Sequence, residues 1–297
     1  MAHFKIKKIF SFLSFYLVSD ELYRKYLFKK NLGKSLNLRD PQTFNEKINA
    51  RILYDRNPIY TKLADKLLVR DYVKEKIGEK YLVNILGYYK TPIEIPYESL
   101  PKKFVLKCNH DAGSTIICTD KRNFNKKLAN KKLRSSLRKS MYYRTREWHY
   151  KNITPMILCA EYLDIFNSTH QQIQPEDYKI HCFHGKPEFL EIQFSRYGNE
   201  RFINIYNTQW ELLPFLMGYK NAPAKIPAPT QLHELLDLAK KLSAEFDYCR
   251  VDFYLANNKI YFGEMTFTPC NGIDKFIPYD WDYKFGEKWK FSLGSKE

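Results

Sequence analysis

Six cysteines are scattered through this chain (Cys108, Cys118, Cys159, Cys182, Cys249 and Cys270), without a C-x-x-C pair or a Cys/His spacing suited to zinc. That leaves out a disulfide scaffold and a structural zinc module. Most sit in apolar, strand-like runs and read as reduced, buried residues of a cytosolic protein. Internal repeats and low-complexity tracts are also missing, so solenoid and array folds do not apply. Nor is there an apolar run of bilayer-crossing length. The stretch 9–18, preceded by Lys5, Lys7 and Lys8, is interrupted by Ser11 and Ser14 and runs into Ser19-Asp20-Glu21 without a small-residue cleavage site. It is therefore neither a signal peptide nor a membrane span. A basic, aromatic N-terminal helix fits, either packed on the body of the protein or lying on the inner face of a membrane.

Acidic residues are in deficit as well. Against 33 Asp and Glu stand 49 Lys and Arg, a net charge of +16, which asks for an anionic partner: nucleic acid, a membrane surface, ATP or an acidic polymer. What is abundant is core material. The 297 residues are 44% hydrophobic and 16% aromatic, enough for one large or two to three small domains and incompatible with disorder.

One stretch organises the rest. Cys249-Arg250-Val251-Asp252-Phe253-Tyr254 and Tyr261-Phe262-Gly263-Glu264-Met265-Thr266 are short apolar strands joined across Ala256-Asn257-Asn258-Lys259, a hairpin pattern. Strand alternation puts Arg250 and Asp252 on one face and Glu264 and Thr266 together on the partner strand. Two carboxylates, a hydroxyl and a guanidinium on otherwise buried strands suit oxygen-ligated Mg²⁺ bridging phosphates, with the arginine free for a developing anion.

Upstream, Thr43-Phe44-Asn45-Glu46 is a capping box that starts a helix. Asn57-Pro58 starts the next one, with Ile59, Leu63, Leu67 and Val73 at helical spacing and Gly78 as its stop. On composition alone, Asp65, Lys66 and Arg70 in that helix are surface charges. Phe104-Val105-Leu106-Lys107-Cys108-Asn109 reads as a buried strand, and a lysine inside it needs an anion. The small-residue loop His110-Asp111-Ala112-Gly113-Ser114 leads to a second strand and suits phosphate oxygens. A basic amphipathic helix is expected over 125–143, and an apolar strand over 156–163 whose end fits an adenine edge. Tyr178 to Ile192 reads as a hairpin with a turn at Gly185. It carries a second strand lysine, Lys179, and two histidines, His181 and His184, taken as structural. Arg196 and Arg201 flank a candidate substrate-facing turn, 197–200. A Pro-rich connector at 214–229 precedes an amphipathic helix over 233–246.

Thr43-Phe44-Asn45-Glu46-Lys47, Asp65-Lys66, the run 104–114, Glu147-Trp148, Asp177-Tyr178-Lys179 and Phe262-Gly263-Glu264-Met265-Thr266, in this order and spacing, resemble the TupA-like ATP-grasp family over residues 40–290. That family is named for teichuronopeptide synthesis and found in bacterial polysaccharide gene clusters. The resemblance implies an α+β, ATP-grasp fold in which two antiparallel-sheet lobes clasp ATP. The expected division is a helical N-terminal and pre-grasp region at 1–100, a small lobe with the phosphate loop at 101–165 and a large lobe with the Mg²⁺ site at 166–297. It also implies residue roles. Lys66 and Lys107 resemble the lysines that contact nucleotide phosphates, Gly113 and Ser114 the loop above them, Glu161, Tyr162 and Leu163 the adenine hinge, and Lys179 a further phosphate contact. Asp252 and Glu264 resemble the Mg²⁺ ligands, with Thr266 where asparagine is usual, and Arg250 the arginine that stabilises a tetrahedral intermediate. The implied reaction is ATP-dependent ligation of a uronic acid carboxylate of a surface saccharide to an amino acid or small amine, in the cytoplasm or at the inner membrane face. A polysaccharide-biosynthesis glycosyltransferase and a basic nucleic-acid-binding protein are the alternatives. Carboxylates beside Lys107 argue against a nucleic-acid partner.

Overall fold

The computed structural model describes residues 17–165, 175–194 and 201–291, with the backbone alone at Glu176. The turn 197–200, Arg196 and most of the run 9–18 lie outside them. Among the described residues no helix is long and apolar enough to cross a membrane.

Helix α1 (Asp20–Leu32) is capped by the Ser19 side chain and stops at Gly33, whose φ of 70° closes the left-handed C-cap. Helix α2 (Phe44–Tyr54) starts with the full capping box that Thr43 and Glu46 predict. The single helix expected after Asn57 is two, α3 (Ile59–Ala64) and α4 (Val69–Lys76), broken at Asp65. The basic helix is likewise divided into α5 (Lys126–Leu137) and α6 (Met141–Thr145).

Strands β1 (Ile85–Tyr89), β2 (Phe104–Cys108), β3 (Ile116–Cys118) and β4 (Ile157–Glu161) form an antiparallel sheet in the order β1-β4-β2-β3. A larger antiparallel sheet follows: β5 (Pro175–Phe183), β6 (Lys186–Phe194) and β7 (Phe202–Asn207), extended on its other edge by β9 (Tyr248–Ala256) and β10 (Lys259–Thr266), in the order β10-β9-β5-β6-β7. A short ribbon pairs β8 (Leu216–Met217) with β11 (Phe276–Ile277). Helices α7 (Leu232–Ser243) and α8 (Asp280–Lys288) complete the described chain.

Alternation along the large sheet separates two chemistries. Tyr178, Ile180, Cys182, Leu190, Ile192, Phe194, Cys249, Val251 and Phe253 pack with α4 and α7 into one apolar core. The intervening positions, Asp177, Lys179, His181, Glu191, Gln193, Arg250 and Asp252, are also buried but polar. Such a row persists in a fold only where its members satisfy one another or a ligand. A second core gathers Phe44, Phe189, Tyr248, Phe285 and Trp289 at the end of this sheet, and a third lies between the small sheet and α5.

Candidate active site

The described residues enclose a cleft lined by both sheets. The small sheet and its loop contribute Val105, Lys107, Asp111, Gly113 and Thr115, the chain past β4 contributes Glu161, Tyr162 and Leu163, and the large sheet contributes Lys179, Tyr254, Gly263 and Glu264. Lys66 lines it too.

Lys66 reaches the cleft because the helix breaks. Asp65 Oδ1 accepts from the Leu67 amide at 2.8 Å and from Asn109 Nδ2 at 2.9 Å, while the Lys66 amide bonds to the Asn109 carbonyl at 3.3 Å. A side chain that offers the backbone a local partner competes with the helix, and here it wins because β2 supplies the second partner. Asp65 is therefore buried rather than a surface charge. Lys66 Nζ donates to the Asp111 carbonyl at 2.7 Å, which tethers it to the loop. In that loop Gly113 has φ of 102° with open space where a Cβ would stand, so its glycine serves conformation, not room. Ser114 is not a lining residue. Its hydroxyl accepts from the Cys108 amide at 2.8 Å and donates to Asp111, closing the loop from within.

Lys107 lines the same cleft as Lys66. Burial, then the charge of Lys66, lowers its pKa to about 8. A lysine so placed gains by meeting an anion. Glu161 ends β4, its amide bonded to the Asn84 carbonyl at 2.9 Å, and Tyr162 and Leu163 continue beyond the strand along the cleft wall, where the Leu163 carbonyl accepts from the Ile165 amide at 3.0 Å.

The β9/β10 hairpin turns at Asn257 and Asn258, with φ of 51° and 59°, tighter than the four-residue connection expected. A bulge at Gly263 does the decisive work. Phe262 pairs with Phe253 towards the core, yet Glu264 pairs with Asp252 on the opposite face. An unbroken strand would have aimed Glu264 with Phe262, since alternate residues share a face. A Cβ on residue 263 would stand 3.0 Å from the Asp252 carbonyl, so glycine lets the strands close there.

Around Asp252 the charges interlock. Arg250 Nε and Nη2 donate to its two oxygens at 2.7 and 2.8 Å, and Lys179 donates to Asp252 Oδ2. Arg250 Nη2 also reaches Glu264 Oε1 at 3.3 Å and Thr266 Oγ1 at 3.2 Å. Burial is the largest influence on the Lys179 ammonium and works against it, but the charges of Asp252, Asp177 and Glu264 together raise the pKa. The structure thus brings Arg250, Asp252, Glu264 and Thr266 together as one unit joined to the cleft through Lys179. Asp252 and Glu264 offer hard anionic oxygens bridged by a single guanidinium, a donor set that fits Mg²⁺ completed by phosphate oxygens. Among the described residues no third His, Cys, Asp or Glu joins them as a metal cluster.

Other residues escaped the sequence reading. Glu191 and Gln193 share the polar face and had no motif to flag them. Cys270 is exposed, not buried like the other five cysteines. The chain also holds one Asp-x-Asp spacing, Asp280-Trp281-Asp282, the pattern that the glycosyltransferase alternative would use. Asp282 is fully buried and accepts from the Asn45 amide and Nδ2 at 2.9 Å each, which makes it a lock between α2 and α8.

The TupA-like ATPgrasp profile matches residues 46–290. The chain belongs to that family. Its fold is accordingly the α+β ATP-grasp, and the two antiparallel sheets around one cleft are what that fold requires. No curated protein matches. Among solved structures, the ATP-grasp ligase PsnB complexed with minimal precursor is 8% identical, with 72% of this chain and 56% of that chain covered and a TM-score of 0.38. The L-amino acid ligase from Bacillus licheniformis is 13% identical, covering 69% and 44%, TM-score 0.39. D-alanine–D-alanine ligase from Helicobacter pylori is 16% identical, covering 76% and 60%, TM-score 0.38. The chain spans about half the length of these proteins.

Proposed function

We propose that this protein is an ADP-forming ligase that joins a carboxylate to an amine, the carboxylate belonging to a uronic acid of a surface polysaccharide or its precursor and the amine to an amino acid or small amine. The carrying observation is the convergence of Lys66, Lys107 and Lys179 with Glu264 on one cleft, backed by the Arg250–Asp252 pair. The saccharide half of the reading is supported by the family's association with polysaccharide gene clusters and by a net charge of +16.

A carboxylate does not condense with an amine in water until one of its oxygens can leave. In the proposed sequence, a carboxylate oxygen attacks the γ-phosphorus of ATP, ADP departs and an acyl phosphate remains. The amine then attacks the acyl carbon, loses a proton and expels phosphate. Lys66, Lys107 and Lys179 neutralise the transferring group. The loop 111–114 covers the acyl phosphate and keeps water off it. Arg250 faces the oxyanion formed when the amine adds. Asp252 and Glu264 would hold Mg²⁺, with Thr266 as a neutral oxygen, and the ion would supply further charge compensation at the phosphates. Backbone at 161–163 accepts the adenine edge.

Two results are expected. With ¹⁸O in the substrate carboxylate, one labelled oxygen appears in the released phosphate, and the products are ADP and phosphate without AMP. Unlabelled phosphate during amide formation, or AMP and pyrophosphate, contradicts the acyl-phosphate route.

The second result concerns pH. Lys107, with a pKa of about 8, loses its charge as pH rises through that value, and the nucleotide loses a cation. KM for ATP should therefore rise above about pH 8, and the break should vanish in Lys107→Arg, because a guanidinium stays charged there. A profile unchanged by the substitution assigns the break to another group.

A further inference from the structure

The basic face of α5 lies outside the cleft. Lys127, Lys131 and Arg134, with Arg138 just past the helix end, fall at i, i+4, i+7 and i+11, which puts them in one row. All four are exposed and, with Lys139, line a surface hollow of about 490 Å³. At 1.5 Å of rise per residue the row is about 16 Å long. The opposite face packs Leu133 and Leu137 into the core of the small sheet. Cations elsewhere on the helix have partners: Lys126 pairs with Glu98, and Lys132 donates to the Thr115 carbonyl at 2.8 Å. Among the described residues no acid pairs with any of the four in the row.

The same helix holds the cleft loop at both ends. At the start of the loop, His110 Nε2 lies 3.3 Å from the Ser136 carbonyl and 3.1 Å from the Lys139 carbonyl. Both carbonyls are acceptors, so this nitrogen carries the proton. At the other end is the bond from Lys132 to Thr115, a residue that lines the cleft. Whatever seats along the row is thus joined to the loop 111–114 through the helix that grips it. Singly, an exposed cation gains little from one anion, because water and salt screen the pair. A row of four gains when one chain brings several anions, since each contact after the first is intramolecular.

We propose that the acceptor is a polymer, and that Lys127, Lys131, Arg134 and Arg138 bind successive carboxylates of a polyuronate chain while another carboxylate of that chain enters the cleft. This deepens the ligase reading and rests on it. A free uronic acid has one carboxylate and cannot engage cations spread along the row. A membrane fits less well, because the hollow offers no apolar side chain to insert between headgroups. A single-stranded nucleic acid fits less well too, since α5 has no aromatic residue on which a base could stack. A polyuronate asks only for repeated positive charge, and the row supplies it.

Fluorescence anisotropy with end-labelled decagalacturonate, competed by galacturonic acid, tests this. The decamer should bind at least about a hundredfold more tightly than the monomer. Combining Lys127→Gln, Lys131→Gln, Arg134→Gln and Arg138→Gln, after a check for an unchanged melting profile, should weaken decamer binding at least about tenfold. Hydrogen exchange then reads the link to the cleft: the decamer should slow the amides of 111–115 in the parent and leave them unchanged in the fourfold variant. Equal affinity for monomer and decamer, undiminished binding by the variant, or exchange at 111–115 that ignores the decamer overturns the proposal. Tighter binding of decaadenylate, or of phosphatidylglycerol vesicles, through the same four residues overturns it as well and gives the face to a nucleic acid or a membrane. No ATP enters these assays, so an absence of ADP formation would sink the ligase reading separately from this result.

Discussion

Asp252→Asn is expected to abolish ADP formation and to lower the melting temperature together. Asp252 is 1% exposed and accepts three charge-assisted hydrogen bonds, two from Arg250 and one from Lys179. Removing its charge strands a guanidinium and an ammonium side by side in the protein interior. Breaking one member out of a buried ion group costs about 3–5 kcal/mol, on the order of 10 °C in melting temperature for a chain of this size. Glu264→Gln should behave differently. Its side chain is 40% exposed and its single contact with Arg250 is 3.3 Å long. Stability should shift by less than about 1 kcal/mol, while turnover is lost because an amide oxygen is a weak ligand for Mg²⁺. Calorimetry and an ADP-release assay on both variants decide the matter. An Asp252→Asn protein that melts normally and turns over would remove Asp252 from the centre of the site.

The same pair shows what could be read from the chain beforehand. Residue types and strand alternation were enough to place Arg250 beside Asp252 and Lys179 on a polar face, and the capping box fixed the start of α2. Local pattern carries those features, and tertiary contacts only confirm them. Lys66 was legible only through family resemblance, because its exposure to the cleft depends on Asn109, 44 positions beyond Asp65, breaking a helix whose periodicity was intact. That Glu264 and Asp252 face one way was anticipated, but not their pairing or the Gly263 bulge that makes it possible, since a bulge obeys the partner strand and leaves only a glycine as its trace. Cys270 was misjudged for a related reason. It stands at φ of 46° in a turn whose conformation is imposed from outside its own sequence.

That outside influence is Arg24, and its removal should be among the most damaging single substitutions in the protein. Cys270, Asn271 and Gly272 take φ of 46°, 55° and 60° in succession, and for residues with a Cβ the left-handed region costs roughly 1–2 kcal/mol each. Gly272 is required there because a Cβ would lie 2.6 Å from Asn49 Nδ2. Arg24 holds the turn in place from α1. Its Nη1 donates to Asn271 Oδ1 at 2.7 Å and to the Thr145 carbonyl at 3.2 Å, its Nη2 donates to the Asn271 carbonyl, and Nε and Nη2 both bind Asn49 Oδ1, at 2.8 and 2.6 Å. The side chain is completely buried, and burial lowers its pKa to about 10, which still leaves it charged at neutral pH. Arg24→Ala would leave four acceptor atoms dry and open a cavity, for a loss of about 3 kcal/mol or more. Arg24→Lys should recover part of this, since one ammonium can serve some but not all of the acceptors. The kinetic signature should be specific. Cys270 in the turn senses the charge of Arg250 and of none of the three cleft lysines, so at a temperature where Arg24→Ala remains folded, kcat should drop while KM for ATP holds. Residue 24 precedes the stretch that matches the family, 46–290, so the support it gives the turn comes from a segment outside the family pattern. A variant that melts within a degree of the parent, or one in which KM for ATP rises and kcat does not change, would show that the turn holds its shape without α1.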